Sequence, residues 1–455
     1  MTSYDTDLAT VTLRPGEDGY ETSTRGFFAT SRPELVIRPR LPDEIADALT
    51  DPAHRHLTVS VRSGGHSPLG HPATGGMMID LTHLAHVEIL DVERRLVRVG
   101  GGATWGRVTA ALEPYGWALT AGDTSGVGVG GLTLGGGIGW MVRRYGLAID
   151  NLVGARMVTA DGRMVTASED DHADLFWALR GGGGNFGVVI DFDFIAQPVG
   201  SVHFGTVTYQ LDDPADLLAR WRAAMRVAPD ELSSTLALPP RMPGAAPSAT
   251  VLLCYAGGPG TTESEVDAAV EPLLGLGTVT AATLATRRYS EILEEAERPP
   301  HLRLVARNTL VSALDDAVIA AVIRLQASPV PTAVALRSLG GAFGRVPPEA
   351  TAFAHRDAEA MIVALLMLPE TATEPQVEHA LRPWQAVAAH GIGTYINVQG
   401  SATARDLAAA YPPGPYARLA TVKRAYDPDN RFAFNHNIEP AEAAPDPRDN
   451  RMEET

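Results

Sequence analysis

One cysteine, Cys254, stands in 455 residues. No disulfide can therefore form within the chain, and no cysteine-based metal site can be assembled. Positive charge is scarce as well: 37 Lys and Arg against 54 Asp and Glu leave a formal net charge of −17. Nucleic acid and anionic membrane surfaces are both held by Lys and Arg that neutralise phosphate, so neither is an expected partner. Long apolar runs are missing; none approaches the ~18 residues needed to span a bilayer. Met1 to Arg25 is polar and lacks the basic, apolar and cleavage-site succession of a secretory signal. These absences lead to the expectation of a soluble, intracellular protein, placed in the cytoplasm. His54/His56 and His83/His86 have no companions at metal-ligand spacing, and no Gly-x-Ser-x-Gly nucleophile elbow occurs; no metal is expected.

The rest of the composition is that of a globular protein, with 45% hydrophobic and 20% charged residues. The length exceeds one ordinary core and suggests two closely packed domains. In the first 199 residues short elements alternate. Pro42-Asp-Glu-Ile-Ala-Asp-Ala-Leu opens a helix with an acidic first turn. Leu57–Arg62, Leu96–Gly100 and Gly187–Phe194 read as strands, Ala103–Pro114 as a helix, and Met157–Val165 as a hairpin turning on Asp161-Gly162. From about Gly200 the character changes: amphipathic stretches such as Ala215–Val227 and Glu263–Leu274 alternate with strands such as Ala249–Tyr255 and Ala333–Leu339. That pattern predicts a second domain with helices packed on a sheet. Motif density returns near Tyr395, and the chain after Pro440 is acidic and rich in Pro and Ala, as a frayed tail is.

Glycine carries the chemistry. Nine of the 18 residues from Gly122 to Gly139 are glycine, interleaved with Val, Leu and Ile. A flexible linker would use Ser in their place, whereas close approach of a ligand to bare backbone explains both the glycines and the apolar residues between them. Gly126-Val-Gly128-Val-Gly130-Gly131 contains a dinucleotide-type string, but the run continues into Gly135-Gly-Gly137, each of which would cost a helix ~1 kcal/mol. A Rossmann turn is rejected on that ground. A second loop, Val61-Arg-Ser-Gly-Gly-His-Ser-Pro-Leu-Gly-His71, follows a strand and exposes its amides. Successive amides in such loops bind anions, and together the two loops suit one phosphate-bearing ligand. His66 alone reads as a surface or hydrogen-bonding histidine; its place among the amides is what singles it out. A third cluster runs from a helix beginning near Asp174 through Gly181-Gly-Gly-Gly184 to a strand at Val189, where a helix C-cap and a ligand contact both fit.

Arg62-Ser-Gly-Gly-His66-Ser, Leu134-Gly-Gly-Gly-Ile-Gly-Trp with Tyr145-Gly-Leu-Ala-Ile-Asp-Asn151, Leu175-Phe-Trp-Ala-Leu-Arg-Gly-Gly-Gly-Gly-Asn-Phe-Gly-Val-Val, Tyr395-Ile-Asn397 and Tyr426-Asp-Pro-Asp-Asn-Arg-Phe with Asn435-His-Asn-Ile438 together resemble one family. It is the berberine-bridge-enzyme-like branch of the vanillyl-alcohol-oxidase flavoproteins. Within that family the chain is most similar to the bacterial branch of 6-hydroxy-D-nicotine oxidase and natural-product tailoring oxidases. The resemblance spans essentially the whole chain. It implies an α+β fold: a two-part FAD-binding domain of the PCMH type, residues 1–199 and the returning segment 393–441, with an inserted substrate domain of antiparallel sheet covered by helices at 200–392. Residues 442–455 are left as tail. FAD is the implied cofactor, bonded covalently to His66. Some relatives add a second bond from a cysteine, but Thr124 stands at that position here, so attachment through His66 alone is expected. The other implied FAD contacts are Arg62, Ser63, Gly64, Gly65, Ser67, Gly70 and His71 in the first loop and Gly122, Thr124, Gly128, Gly131, Gly135, Gly136 and Gly139 in the second. Asp150, Asn151, Val189, Asn435 and Asn437 complete the set. His71 is either a prop for the flavin loop or a proton carrier.

The activity implied is oxidation of a small alcohol or amine of secondary metabolism by hydride transfer to flavin N5 and reoxidation by O2 to give H2O2. An oxidative cyclase, an O2-independent dehydrogenase, or a flavin-binding protein without turnover are the alternatives. Substrate and O2 are the expected partners of a monomer or homodimer. Tyr395 aligns with a proton-accepting tyrosine of relatives, and in a strand Tyr395 and Asn397 would share a face; a core tyrosine capped by an asparagine is the plain alternative, since a phenol of ordinary pKa is a poor base. On the strand around residue 335, Ala335, Arg337 and Leu339 alternate onto one face. If that face lines the substrate pocket, Arg337 is its only fixed charge and favours a carboxylate, enolate or polar carbonyl; otherwise it is a partly exposed sheet arginine.

Overall fold

The structure, a computed structural model, describes residues 11–69, 75–242, 244–295 and 298–442. Gly70, His71 and the expected tail beyond residue 442 lie outside the described residues. Three sheets organise the chain. The first has the spatial order Val11–Leu13, Leu35–Arg38, Met77–Asp80, Val59–Arg62, parallel except for its first pair. The helix Pro42–Thr50 starts where its composition indicates: proline fits the first position because its missing N–H would have no partner there, and Glu44 accepts the amides of Arg40 and Leu41 at 2.6 and 3.0 Å. Its buried Ile45 and Leu49 share a core with Leu35, Ile37, Val59, Met77 and Ile79 of the sheet.

The second sheet is antiparallel throughout, in the order Val87–Asp91, Leu96–Gly100, Val188–Ile195, Leu152–Val158, Met164–Ala167. Its last two strands form the expected hairpin, with Gly162 at φ +82° in the left-handed region that glycine enters without a Cβ clash. The third sheet begins at Ser201 and has seven antiparallel strands, in the order Val279–Arg288, Ser201–Gln210, Ser248–Tyr255, Leu232–Leu238, Thr332–Ser338, Ala360–Pro369, Leu302–Val311. Helices Pro214–Val227, Glu263–Leu274, Asp316–Gln326 and Arg382–Ala388 bury Leu218, Trp221, Val270, Val322 and Trp384 in one core with Val334, Leu336, Ile362 and Ala364 of this sheet. Each long helix opens on a side-chain cap that satisfies its first amides: Asp213 for Ala215 and Asp216, Thr262 for Glu265, and Asp315 for Val318. The fold is α+β, with helices flanking the inserted antiparallel sheet.

The C-terminal segment returns to the first sheet through a buried polar hub. Helix Pro413–Tyr426 packs Leu419 and Val422 into the core that holds Leu175, Phe176 and Leu179. On its buried side Lys423 donates to the carbonyls of Asn185 (2.8 Å) and Phe432 (3.1 Å) and pairs with Asp427 at 2.7 Å. Asp427 in turn accepts the amides of Arg431 and Phe432, both at 2.9 Å. Arg431 reaches the Leu49 carbonyl at 2.7 Å, while its own carbonyl accepts from the Val59 amide at 2.7 Å. The motif Asp427-Pro-Asp-Asn-Arg-Phe is thus a clamp on the helix and strand that precede the His66 loop.

Two local expectations change. Ile396–Val398 is a 3-10 turn and not a strand, so the pairing of Tyr395 with Asn397 arises from turn geometry. Within the glycine run a six-residue helix, Val129–Leu134, starts after Gly128 and buries Val129, Leu132, Thr133 and Leu134; it forms despite Gly130 and Gly131 because tertiary packing overrides weak propensity. The Rossmann reading still fails, since the neighbouring five strands are all antiparallel. Lys423 and Asp427 are both fully buried, so Asp427→Ala, which strands the ammonium, is expected to lower stability by about 3–5 kcal/mol, measured by urea unfolding.

Candidate active site

A cleft of about 480 Å³ opens where the three sheets meet. Its first wall is the loop after strand Val59–Arg62, with Ser63, Gly64, Gly65, His66 and Ser67 all on the lining. Its second is the glycine run, which contributes Gly122, Gly128 and Gly131, and Gly183, Gly184 and Val189 extend it. The two loops touch through bare backbone. A methyl group on Gly64 would lie 2.3 Å from the Gly128 amide nitrogen and 2.6 Å from the Gly126 carbonyl oxygen; a real Cβ never sits so close. Ser63 bridges the loops, donating to the Gly101 carbonyl at 2.7 Å and accepting from the Gly130 amide at 3.4 Å. Gly131 and Gly184 have open space where a side chain would stand.

His66 lies partly buried on this wall. Its ring stacks on Phe27 with centroids 5.1 Å apart and planes 11° from parallel, and the Phe27 amide donates to the Gly65 carbonyl at 2.9 Å. Burial, and after it the Arg62 charge, push the imidazole pKa down, which leaves a neutral ring. Its Nε2 faces Gly126, where a Cβ would lie 3.2 Å away.

The opposite wall comes from the third sheet. Strand alternation sends Val334 and Leu336 into the helix-covered core and Ala335 and Arg337 into the cleft, beside Thr235, Met361 and Val363. Leu339 does not join them and is buried elsewhere, against Phe343 and Phe353. Arg337 is only 9% exposed. Its Nε donates to Thr235 Oγ1 at 3.1 Å, its Nη2 to Asp123 Oδ2 at 2.8 Å, and its guanidinium carbon lies 4.9 Å from the Trp140 ring centroid. Arg337 is the fixed charge that this strand face brings to the cleft, and Asp123, from the glycine run, lines the same cleft and neutralises it. Its place deep in the cleft works against the Asp123 carboxylate, although about half of the side chain is open to the cleft, and the Arg337 charge with hydrogen bonds from Arg337 and Thr124 holds its pKa below the usual range.

Tyr395 closes the end of the cleft and is 3% exposed. Its Oη accepts from the Gly137 amide (3.0 Å), the Ile138 amide (3.3 Å) and Asn397 Nδ2 (2.8 Å). The same Nδ2 donates to the Leu132 carbonyl at 2.8 Å, which fixes the orientation of the amide. Three donors thus converge on one phenol oxygen, one more than its two lone pairs accept while its own hydrogen is in place. Burial pushes the phenol pKa up, ahead of the donors that pull it down. Asn308 fixes the backbone here, accepting the Tyr395 amide and donating to its carbonyl, both at 2.8 Å.

Several expected cofactor contacts are instead supports outside the lining. Arg62 pairs with Asp80 at 3.6 Å and donates to the Arg25 carbonyl, bracing the base of the His66 loop. Thr124 bonds Asp123 and pairs its backbone with Glu294. Gly135, Gly136 and Gly139 make room for Asn397, for Phe353 and Tyr395, and for the Ala121 carbonyl respectively. Asp150 binds Arg356 through both oxygens at 2.7 and 2.8 Å, and Asn151 donates to the carbonyls of Tyr145 and Leu147. Asn437 is not on the lining, whereas Asn435 is; its Nδ2 donates to the Gly184 and Phe432 carbonyls, and its Oδ1 is buried with no partner. An orphaned acceptor beside side-chain-free backbone fits a large polar ligand with N–H groups, as FAD is. Among the described residues no cluster of His, Cys, Asp and Glu is arranged to hold a metal ion, and no helix is long and apolar enough to cross a membrane.

Known proteins place this cleft. Residues 33–168 match the family described as "FAD binding domain", and residues 394–439 the one described as "Berberine and berberine like". The chain is 32% identical over 431 residues to (R)-6-hydroxynicotine oxidase of Paenarthrobacter nicotinovorans, covering 90% of this chain and 92% of that protein. This chain is a berberine-bridge-enzyme-like FAD-linked oxidase. The chain is also 29% identical to an uncharacterised FAD-linked oxidoreductase of Bacillus subtilis, over 94% of this chain and 96% of that one. The crystal structure of 6-hydroxy-D-nicotine oxidase from Arthrobacter nicotinovorans superposes with a TM-score of 0.84 at 29% identity, covering 96% of this chain and 100% of that one. A chitooligosaccharide oxidase superposes equally well, at 0.84 and 22% identity over 95% and 98% of the two chains, and shares the fold.

Two groups on the cleft lining, Asp123 and His436, and one behind it, Phe27, carry no signal in the sequence. Phe27 belongs to no motif, and Asp123 lies 214 positions from its partner. His436 sits between two expected residues, Asn435 and Asn437. Its Nε2 faces the Ser401 carbonyl at 3.1 Å, and burial pushes its pKa from the ordinary 6.5 down to about 4. Below pH 6.5 the unfolded chain takes up a proton that the folded chain refuses until about pH 4, so stability falls as pH drops through that window, by about 3 kcal/mol in all. His436→Gln, which keeps a donor for Ser401 and does not titrate, is expected to flatten this loss in urea unfolding run from pH 7 to 4.

Proposed function

We propose that this protein is an FAD-dependent oxidase of small, uncharged alcohols or amines, with FAD bonded through His66 alone and O2 as the final electron acceptor. When bound, FAD supplies the acceptor for the electron pair removed from a substrate C–H bond. The observation that carries the reading is the stacked, neutral His66 facing into the same cleft as Tyr395. A neutral imidazole has the free nitrogen lone pair that a covalent link to the flavin would need, and the stack on Phe27 restrains the ring. Cys254 is buried in the core that holds Leu175, Phe176 and Leu179, off the cleft lining, and Thr124 offers no thiol, which supports a single link.

Ser63 to Ser67, Gly128, Gly131 and Asn435 hold the cofactor. Tyr395 is the group that relays the substrate's hydroxyl or amine proton at Oη; burial favours its protonated form, and the Gly137 and Ile138 amides and Asn397 offset this in part by stabilising the negative charge that forms there when the proton moves on. The Asp123–Arg337 pair leaves that wall polar without net charge, which favours a neutral substrate over a carboxylate. The oxidase names of the relatives point the same way: one acts, by its name, on 6-hydroxynicotine.

Acid denaturation tests the link directly. Yellow colour is expected to stay with the wild-type polypeptide and to wash out of His66→Ala; a His66→Ala chain that remains yellow contradicts the assignment. Oxidase function is read from stopped-flow mixing of photoreduced protein with O2, where sluggish reoxidation sinks it. Tyr395→Phe is expected to keep covalent flavin and lower kcat by about 10²-fold with little change in KM, together with loss of one limb of the kcat–pH profile.

A further inference from the structure

A second cavity of about 370 Å³ lies between the short helix Val142–Tyr145 and the strand end Ser338–Gly341, and it shares no lining residue with the flavin cleft. Strand alternation separates the two: Arg337 faces the cleft and Ser338 faces this cavity. Four arginines, 143, 222, 226 and 345, line it against two carboxylates, Asp230 and Glu359. In a chain of net charge −17, that is a local excess of the opposite sign.

The carboxylates are taken. Arg345 pairs with Asp230 at 2.7 Å, and Arg226 grips Glu359 through two bonds of 2.6 and 3.0 Å. Arg222 bonds Asp316, which points to solvent outside the cavity. Arg143 has none. It is 6% exposed, donates to the carbonyls of Leu339 (2.6 Å) and Ala228 (3.0 Å), and leaves its Nε buried without a partner. A guanidinium cannot shed its proton to escape burial, so an uncompensated one calls for an anion. The cavity of about 370 Å³ supplies the space, and the backbone beside it is tightly packed. Gly340 (φ +92°) and Gly341 (φ +56°) carry the chain past Arg143 in backbone conformations suited to glycine, and a Cβ on Gly341 would lie 2.2 Å from the Arg143 carbonyl oxygen. Trp221, Met225 and Leu314 supply an apolar side to the same cavity.

We propose that this cavity binds a small organic carboxylate, its anionic end on Arg143 and Arg222 and its apolar body against Trp221, Met225 and Leu314. Arg226 and Arg345, half-exposed or more, frame its mouth. The site is separate from the flavin reaction and does not depend on which substrate the cleft takes.

Isothermal titration of the flavin-loaded protein with benzoate at low ionic strength tests it, with benzamide as the uncharged counterpart and Arg337→Gln as the control for binding in the cleft. The expected result is saturable benzoate binding at one site, unchanged in Arg337→Gln, absent for benzamide, and at least about tenfold weaker in Arg143→Met and Arg222→Met. Arg143→Met also loses two bonds to carbonyls; should it fail to fold by circular dichroism, Arg222→Met and Arg345→Met carry the comparison. Benzoate binding that disappears in Arg337→Gln, binding untouched by the cavity variants, or no saturable heat at millimolar benzoate overturns the proposal.

Discussion

Everything about the flavin cleft rests on two backbones meeting without side chains between them. Gly64 and Gly128 approach so closely that either methyl group would overlap the other loop's amide nitrogen. That contact joins the end of a parallel strand in the first sheet to a turn beside the second sheet. It also sets His66 on one side of the junction and the Asp123–Tyr395 surroundings on the other. Bare backbone costs ordering entropy, and the return is a wall of amides where a cofactor is held at contact distance.

The wall opposite is governed by a different constraint, the compensation of charge. Arg337 is buried, and three separate groups receive it: the Asp123 carboxylate, the Thr235 hydroxyl and the face of Trp140. One of these comes from the glycine run and one from a neighbouring strand, so the pair pins the inserted sheet to the flavin loops at the substrate's end of the cleft. Arg143, on the other side of the same strand end, has carbonyls but no carboxylate. Two buried arginines close in space thus meet opposite fates.

Local signals were legible in the sequence and long-range ones were not. Leu96–Gly100 and Glu263–Leu274 fall on the strand and helix that periodicity and capping indicate, because those preferences act over a few residues. The glycine loops were legible as ligand walls for the same reason. What each glycine does was not: Gly135, Gly136 and Gly139 admit protein atoms, and a one-dimensional pattern does not distinguish them from Gly131, which faces open space. Asp150 and Asn151 belong to a motif yet serve as braces for Arg356 and a turn. Tyr395 was found by resemblance, but its donors stand 257 and 258 positions away, and the turn that joins it to Asn397 follows from packing.

The C-terminal clamp has a consequence for biosynthesis. Asn435 and His436 line the cleft, and the Lys423–Asp427–Arg431 hub fastens them to the helix and strand that precede His66. Chains fold from the N-terminus as they leave the ribosome, so the glycine loops emerge hundreds of residues before the segment that finishes their enclosure. The cleft is accordingly completed late in translation, and a chain interrupted between residues 66 and 435 carries His66 without the wall that Asn435 and His436 supply.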